Sequence, residues 1–266
     1  REAMARVPHH VIGILDPDEP FNLALYLEQA SQTVKDIWER GKVPFLVGGS
    51  GLYVWGLLEG LKVPHVPPDQ KLREELELEA RLKGSQALHQ RLRRLDPTSA
   101  NSIDPRNVRR TIRALEVCLK AEAPFSQLIS KEGPTFPFLV IGLTAERERL
   151  YARIDRRVDE MMPQGFVDEV QGLIRREYRL DLPSMSGVGY KQIGRYLEGK
   201  LSLEEAIQQT KYETHRLARH QGAWFRADDQ RIHWYDIADD FSRAVMEEVK
   251  AFCAVENGVR TRDEVH

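Results

Sequence analysis

The chain has 266 residues, 41% of them hydrophobic, which suffices for one large domain or a core with an inserted module. Cys118 and Cys253 lie far apart without metal-type spacing, and no signal peptide or long apolar span is legible, which argues against a disulfide-stapled or membrane-spanning class and for a reducing, cytoplasmic setting. A formal net charge of -2 speaks against a uniformly basic nucleic-acid binder, yet cations gather at 106–113, 147–157 and 211–226 while acids crowd 74–79.

Arg1 stands where an initiator methionine would, so the native chain is expected to continue upstream. After the turn signal Asp16-Pro17-Asp18-Glu19-Pro20, residues 21–40 place Leu23, Tyr26, Leu27, Ala30, Val34, Ile37 and Trp38 at helical spacing. Gly41 is placed to end that helix, and Val43-Pro44-Phe45-Leu46-Val47 reads as a short buried parallel strand. Gly48-Gly49-Ser50-Gly51 turns into another helix through Leu58, which makes half of a βαβ unit. Residues 64–68 are proline-rich and mark a boundary, beyond which 71–83, 85–95 and 105–121 read as helices, the last with Pro105 at its start and the first two followed by turns such as Asp96-Pro97-Thr98. The run 138–143 returns the chain to the sheet, and Thr144 is placed to cap a helix carrying Leu150, Ile154, Val158 and Met161. Helices are expected over 166–178, 190–197 and 202–226, the last capped by Ser202 with Glu205. A short strand at 232–235, a closing helix at 241–255 and a flexible tail over 256–266 complete the chain. The fold expected is α/β, with a parallel-sheet core in two parts, 1–63 and 136–255, and a helical insertion over 64–135.

Five segments carry residue types suited to chemistry. The Gly48–Tyr53 turn follows a strand and opens a helix, where backbone amides can approach a phosphate or base; alone the signal is weak, since glycine after a strand is often only tight packing. Arg109, Arg110 and Arg113, with Arg106 one turn earlier, line one side of a helix that can hold an RNA backbone, or else form a solvated face paired with Glu116. Arginines at 147, 149, 153, 156 and 157 alternate with Glu146, Glu148, Asp155, Asp159 and Glu160, so most are expected in ion pairs along their own helix. Arg153 and Arg157, one turn apart, are the candidates there for gripping a diphosphate. Ser186-Gly187-Val188-Gly189-Tyr190-Lys191-Gln192 sets an aromatic, a cation and an amide on a first helical turn, and Thr214–Arg226 interleaves cations, aromatics and amides as RNA-contact surfaces do. His215 and His220 miss the spacing of a helical metal pair and His9 and His10 are adjacent, so no protein metal site is assigned.

Taken in order, these segments resemble the tRNA dimethylallyltransferase family, also called the isopentenyl-diphosphate:tRNA transferases. The resemblance runs through Val7-Pro8-His9-His10, Leu46–Tyr53, Arg110 with Arg113-Ala114-Leu115-Glu116-Val117, Val188–Gln192, and Ala218-Arg219-His220-Gln221 to Trp224-Phe225-Arg226. It implies a core like that of phosphate-loop nucleotide hydrolases with an inserted helical tRNA-binding domain, acting as a monomer on the anticodon stem-loop of tRNA. It also implies transfer of a dimethylallyl group from dimethylallyl diphosphate to N6 of the adenosine beside the anticodon, with Mg2+ assisting the diphosphate. Ser50 stands where the family usually has threonine and is implied to hydrogen-bond near the reacting adenine. Arg73, Arg109, Arg110, Arg113, Gly187, Gly189, Tyr190, Lys191, Gln192, His215, Arg216, Arg219 and Gln221 match tRNA-contacting positions or regions. The family's phosphate loop and the aspartate that serves as base have no match in this sequence, which contains no GxxxxGK[ST] pattern, so the core is expected to lack its first βα unit and the chain to be inactive as given. Two rivals remain at this point: an RNA-binding helical module without catalysis, and a relative of the phosphate-loop small-molecule kinases.

Overall fold

The structure, a computed structural model, describes residues 7–263, with side chains to residue 255. The fold is α/β, and the chain divides into two compact units: Asn22–Leu46 with Tyr53–Phe136, and Arg1–Phe21 with Val47–Leu52 and Pro137–His266.

The first of these units is almost wholly helical. Helix α1 (Leu23–Glu39) starts where Asn22 accepts from the Leu25 amide at 3.1 Å, and it buries the stripe Tyr26, Leu27 and Ala30. Most of α2 (Gly51–Leu58) belongs here too, with Trp55, Leu57 and Leu58 buried and Tyr53 stacked on Tyr26 at 4.4 Å. A two-residue antiparallel pairing joins β1 (Leu61–Lys62) to β2 (Ser130–Lys131). Between them come α3 (Gln70–Lys83), α4 (Ser85–Leu95), α5 (Pro97–Ser102), α6 (Val108–Ala121) and α7 (Phe125–Leu128). Their shared core is Leu76, Leu88, Leu92, Ala100, Ile112, Ala114, Leu115 and Cys118.

Two turns in this unit differ from expectation for a capping reason. Pro105 does not open a helix, because Asp104 closes a turn onto Arg106 and the cap falls to Asn107, which accepts from the Arg110 amide. Asp96-Pro97-Thr98 is not a bare turn: buried Asp96 caps α5 through the Ser99 amide at 3.0 Å, with Pro97 at the first helical position. The same carboxylate takes the Ser126 amide at 2.7 Å and the Ser126 hydroxyl at 2.8 Å, so one side chain ties α5 to α7.

Val43–Val47 is not a buried strand. A strand exists only through its neighbours' amides and carbonyls, and among the described residues nothing pairs with this run; Phe45 is 72% and Val47 90% exposed.

The second unit carries the parallel pair, β3 (Val140–Thr144) with β4 (Ile232–Asp236), in register from Val140↔Ile232 to Thr144↔Asp236. Gly142 makes room for the Trp234 indole, since a β-carbon there would lie 2.6 Å from the ring. Thr144 ends the strand instead of capping the next helix, α8 (Arg147–Met161), whose cap position is Glu146 without a side-chain bond. Then follow α9 (Phe166–Arg175), a 3-10 turn at Ser184–Ser186, α10 (Tyr190–Leu197), α11 (Leu203–Gln221) and α12 (Phe241–Asp263). Helix α9 stops short of Tyr178 because Glu177 turns left-handed at φ 67°. The capping box of α11 is the expected one, Ser202 accepting from Glu205 N and Glu205 from Ser202 N, but the helix ends at Gln221 and not at Arg226. Helix α12 continues through the segment expected as a tail; residues 264–266 lie outside the described part. Phe166, Val170, Met185, Ile193 and Ala206 form the helical core of this unit. No helix among the described residues is long and apolar enough to cross a membrane.

Candidate functional site

The glycine turn and the end of α11, remote in sequence, meet in one unit. A β-carbon on Gly49 would fall 2.0 Å from Gln221 Nε2, and one on Gly51 would fall 2.2 Å from Trp224 Cγ. Gly51 has no room for a side chain against the root of the Trp224 ring, and at Gly49 the end of the Gln221 side chain would have to move aside, so the glycines serve close approach. Between them Ser50 is exposed, and its hydroxyl makes no hydrogen bond among the described residues. The turn after α11 is itself fixed, with the Trp224 and Phe225 amides both donating to the Gln221 carbonyl at 3.0 and 2.9 Å.

Helix α11 runs antiparallel to α8 with polar rungs one helical turn apart. Lys211 meets Asp159 at 2.7 Å, His215 meets Asp155 at 2.9 Å, and Arg219 donates to the Tyr151 hydroxyl at 3.0 Å. The Tyr151 ring also stacks on His215, centroids 4.0 Å apart and planes 8° from parallel. The His215 Nε2 and Asp155 Oδ1 approach at an angle, so neither buried atom completes a linear hydrogen bond. The Tyr151 hydroxyl beside it holds the Arg219 guanidinium above its ordinary pKa.

This ladder corrects the charge pattern expected of α8. Its acids Asp155 and Asp159 turn toward α11, and Arg147, Arg149, Arg153, Arg156 and Arg157 form no ion pair among the described residues. Arg149, Arg153 and Arg156, on the side away from the ladder, line a cavity of about 420 Å³ together with Ala152. Arg153 is therefore joined by Arg149 and Arg156, which the sequence did not single out, while Arg157 is exposed outside the lining. Unpaired guanidiniums around one hollow suit a multiply charged anion with several acceptor oxygens.

The Gly187–Gln192 segment is more inward than its composition suggests. Gly189 is buried at φ 99°, where a β-carbon would press on Phe166 at 2.9 Å. Buried Gln192 accepts from the Gly189 amide at 2.8 Å and so closes its own helix. Tyr190 packs edge-on to Phe166 and donates to Glu169; burial first, then that carboxylate, push its phenol up to about 12. Gly187 and Lys191 are exposed. Arg216 is exposed with a surface partner in Glu213 at 3.6 Å.

In the helical unit, Arg109 and Arg110 are exposed and without ion pairs among the described residues, and Arg109 borders a hollow of about 470 Å³ with Asp104, Arg106, Asn107 and Val108. Arg73 and Arg113 both bind one buried carboxylate, Glu116. Glu116 had been legible only as a surface partner for the arginines. Among the described residues no group of three His, Cys, Asp or Glu side chains is placed to hold a metal ion, so none is assigned to magnesium.

Comparison with known proteins agrees with this architecture. The IPP transferase family model matches residues 1–228. A tRNA dimethylallyltransferase of Thermomicrobium roseum is 47% identical over 231 residues, 87% of this chain and 70% of that protein. One of Dehalococcoides mccartyi is 41% identical over 251 residues, 94% of this chain and 77% of that protein. Among solved structures, the full-length tRNA isopentenylpyrophosphate transferase of Bacillus halodurans superimposes with a TM-score of 0.66 at 39% identity, covering 100% of this chain and 83% of its own. A match of this extent across sequence and fold places the chain in the IPP transferase family, a family of prenyltransferase enzymes.

Proposed function

We propose that this chain recognises the anticodon stem-loop of tRNA, as a monomer, and belongs to a site that moves a dimethylallyl group from dimethylallyl diphosphate to N6 of the adenosine beside the anticodon. The observation that carries this reading is Ser50: exposed, its hydroxyl unspent, held between glycines that close on Gln221 and Trp224. A hydroxyl so placed can donate to or accept from an adenine edge.

In the reaction, N6 attacks the allylic carbon, the carbon–oxygen bond to diphosphate breaks, and N6 loses a proton. The unpaired guanidiniums of Arg149, Arg153 and Arg156, with Arg157 nearby on α8, suit the departing charge. Magnesium enters as a companion of the diphosphate, since such ions bind largely through phosphate oxygens and retained waters. The exposed Arg109, Arg110, Arg216, Lys191 and Arg219 supply phosphate contacts, and the helices over 64–135 form an inserted tRNA-binding domain on a core like that of phosphate-loop enzymes. A phosphate loop and a base aspartate of the family's kind have no match in residues 1–266, so we expect this chain alone to bind without transferring.

The test is anisotropy of a labelled anticodon stem-loop titrated with the chain at low salt, followed by incubation with radiolabelled dimethylallyl diphosphate. Binding that weakens steeply with salt and no label in the RNA are expected. No binding at low salt would overturn the tRNA reading, and label in the RNA would overturn the expected inactivity.

A further inference from the structure

Glu116 sits within α6 with 0% of its side chain exposed. A buried carboxylate is costly unless its lone pairs are filled. Four donors fill it. The Asp69 amide and Arg73 Nε reach Oε1, both at 2.8 Å; Arg73 Nη2 and Arg113 Nη1 reach Oε2 at 2.8 and 2.6 Å. Burial alone raises this carboxyl, and the bonds from Arg73, the Asp69 amide and Arg113 outweigh it, holding the group below its ordinary range.

One guanidinium neutralises one carboxylate, yet two are gathered. Asp69 is in turn matched by Lys120, so the cluster holds three cations and two carboxylates and keeps a net positive charge. Both arginines stay partly open, Arg73 at 35% and Arg113 at 36% of the side chain. Arg113 is pinned a second time, Nη2 donating to the Val66 carbonyl at 3.1 Å. The Nη1 of Arg73 and the Nε of Arg113 make no bond among the described residues. For stability alone, apolar side chains would serve this interior as well or better. What the cluster provides is two guanidiniums in fixed orientation with donors to spare, which removes the ordering cost of gripping a phosphate.

We propose that Glu116 is a positioning residue for RNA recognition, locking Arg73 and Arg113 into a clamp for one phosphodiester of the bound strand. The inference rests on the tRNA reading and adds that geometry, beyond charge, sets the affinity at this point. Arg73→Lys keeps the charge and loses the fork, whereas Glu116→Gln keeps the shape and loses the anchor. The chain and both variants are titrated against a labelled anticodon stem-loop over a range of salt, below the melting temperature of each as followed by circular dichroism. Both variants are expected to bind about tenfold more weakly, with Arg73→Lys keeping the wild-type salt slope because its charge count is unchanged. Should Glu116→Gln fail to fold, Arg73→Lys carries the test. A folded Arg73→Lys chain that binds within about twofold of the parent overturns the proposal, because a purely structural or purely charge-based role predicts that result. An unsubstituted chain that binds no stem-loop removes the tRNA reading and this one with it, and that failure is seen before any variant is made.

Discussion

Ser50 is flanked by two glycines that are constrained by different neighbours. A β-carbon at Gly49 would meet the far end of Gln221, a flexible side chain that can swing aside. One at Gly51 would lie within 2.4 Å of Trp224 Cβ, Cγ and Cδ2, the root of a bulky ring whose amide is already fixed to Gln221. Gly49→Ala is therefore expected to cost less than about 1 kcal/mol in a urea titration, and Gly51→Ala about 2–3 kcal/mol, as overpacking does. Equal costs at the two positions would show that the Trp224 turn yields as readily as a glutamine amide. The contrast also bears on Ser50, because only Gly51→Ala should displace the hydroxyl.

At the scale of the elements, the α8–α11 pair separates two tasks on one helix. The face of Tyr151, Asp155 and Asp159 is spent on Arg219, His215 and Lys211, which frees the arginines opposite. Inorganic pyrophosphate, the leaving group of the proposed reaction, is expected to raise the melting temperature of the chain by binding there. Arg149→Gln, Arg153→Gln and Arg156→Gln together should abolish that rise, while Asp168→Asn, on α9, should leave it intact. A rise unchanged in the triple variant would place the anion elsewhere. The sequence showed α1, α3, α4, α10 and the start of α11 nearly to the residue, because the apolar spacing is helical and Ser202 is a local capping signal; the caps Asn22 and Asp69 emerged only in the structure. It did not show the ladder: acids and arginines alternating in one segment predict pairing along the helix, and only the antiparallel approach of α11 redirects the acids. Nor could it show Val43–Val47 unpaired, since an apolar run carries no record of its ladder partners. Of the candidate site residues, the arginines were marked by residue type and Ser50 by the family resemblance. What the sequence hid is the partners that turn Glu116, Gln192 and Tyr190 inward.

For the whole molecule, the titrating groups that fold around partners set both limits of its pH range. On the acid side, hydrogen bonds from Arg106 and from Arg231 lower Asp104 and Asp229 from 3.8 to about 2, and Glu116 and Asp96 are also lowered against the pull of burial. A group whose folded pKa is depressed binds fewer protons in the folded state. Its contribution is thus complete above the unfolded pKa and is lost as pH falls through the folded value. Asp104, Asp96 and Glu116 lie in the helical unit and Asp229 in the other, so both should weaken together between about pH 4.5 and pH 2. On the alkaline side the sign is reversed in the proton count. Burial and Glu169 raise Tyr190 from 10.0 to about 12, and Tyr26, Tyr178 and Tyr235 are raised as well. A raised folded pKa gives stability that is complete below the unfolded value and is lost as pH climbs through the folded one, here between about pH 10 and pH 12. Urea midpoints measured across the range should therefore fall on both limbs, the acid one in both units and the alkaline one with the ionisation of tyrosine seen in the ultraviolet. Tyr190→Phe keeps the packing on Phe166 and removes the raised phenol, so its midpoint should decline less steeply than that of the parent between about pH 10 and pH 12. An identical decline in the two chains would mean that the Tyr190–Glu169 bond contributes nothing to the alkaline limit.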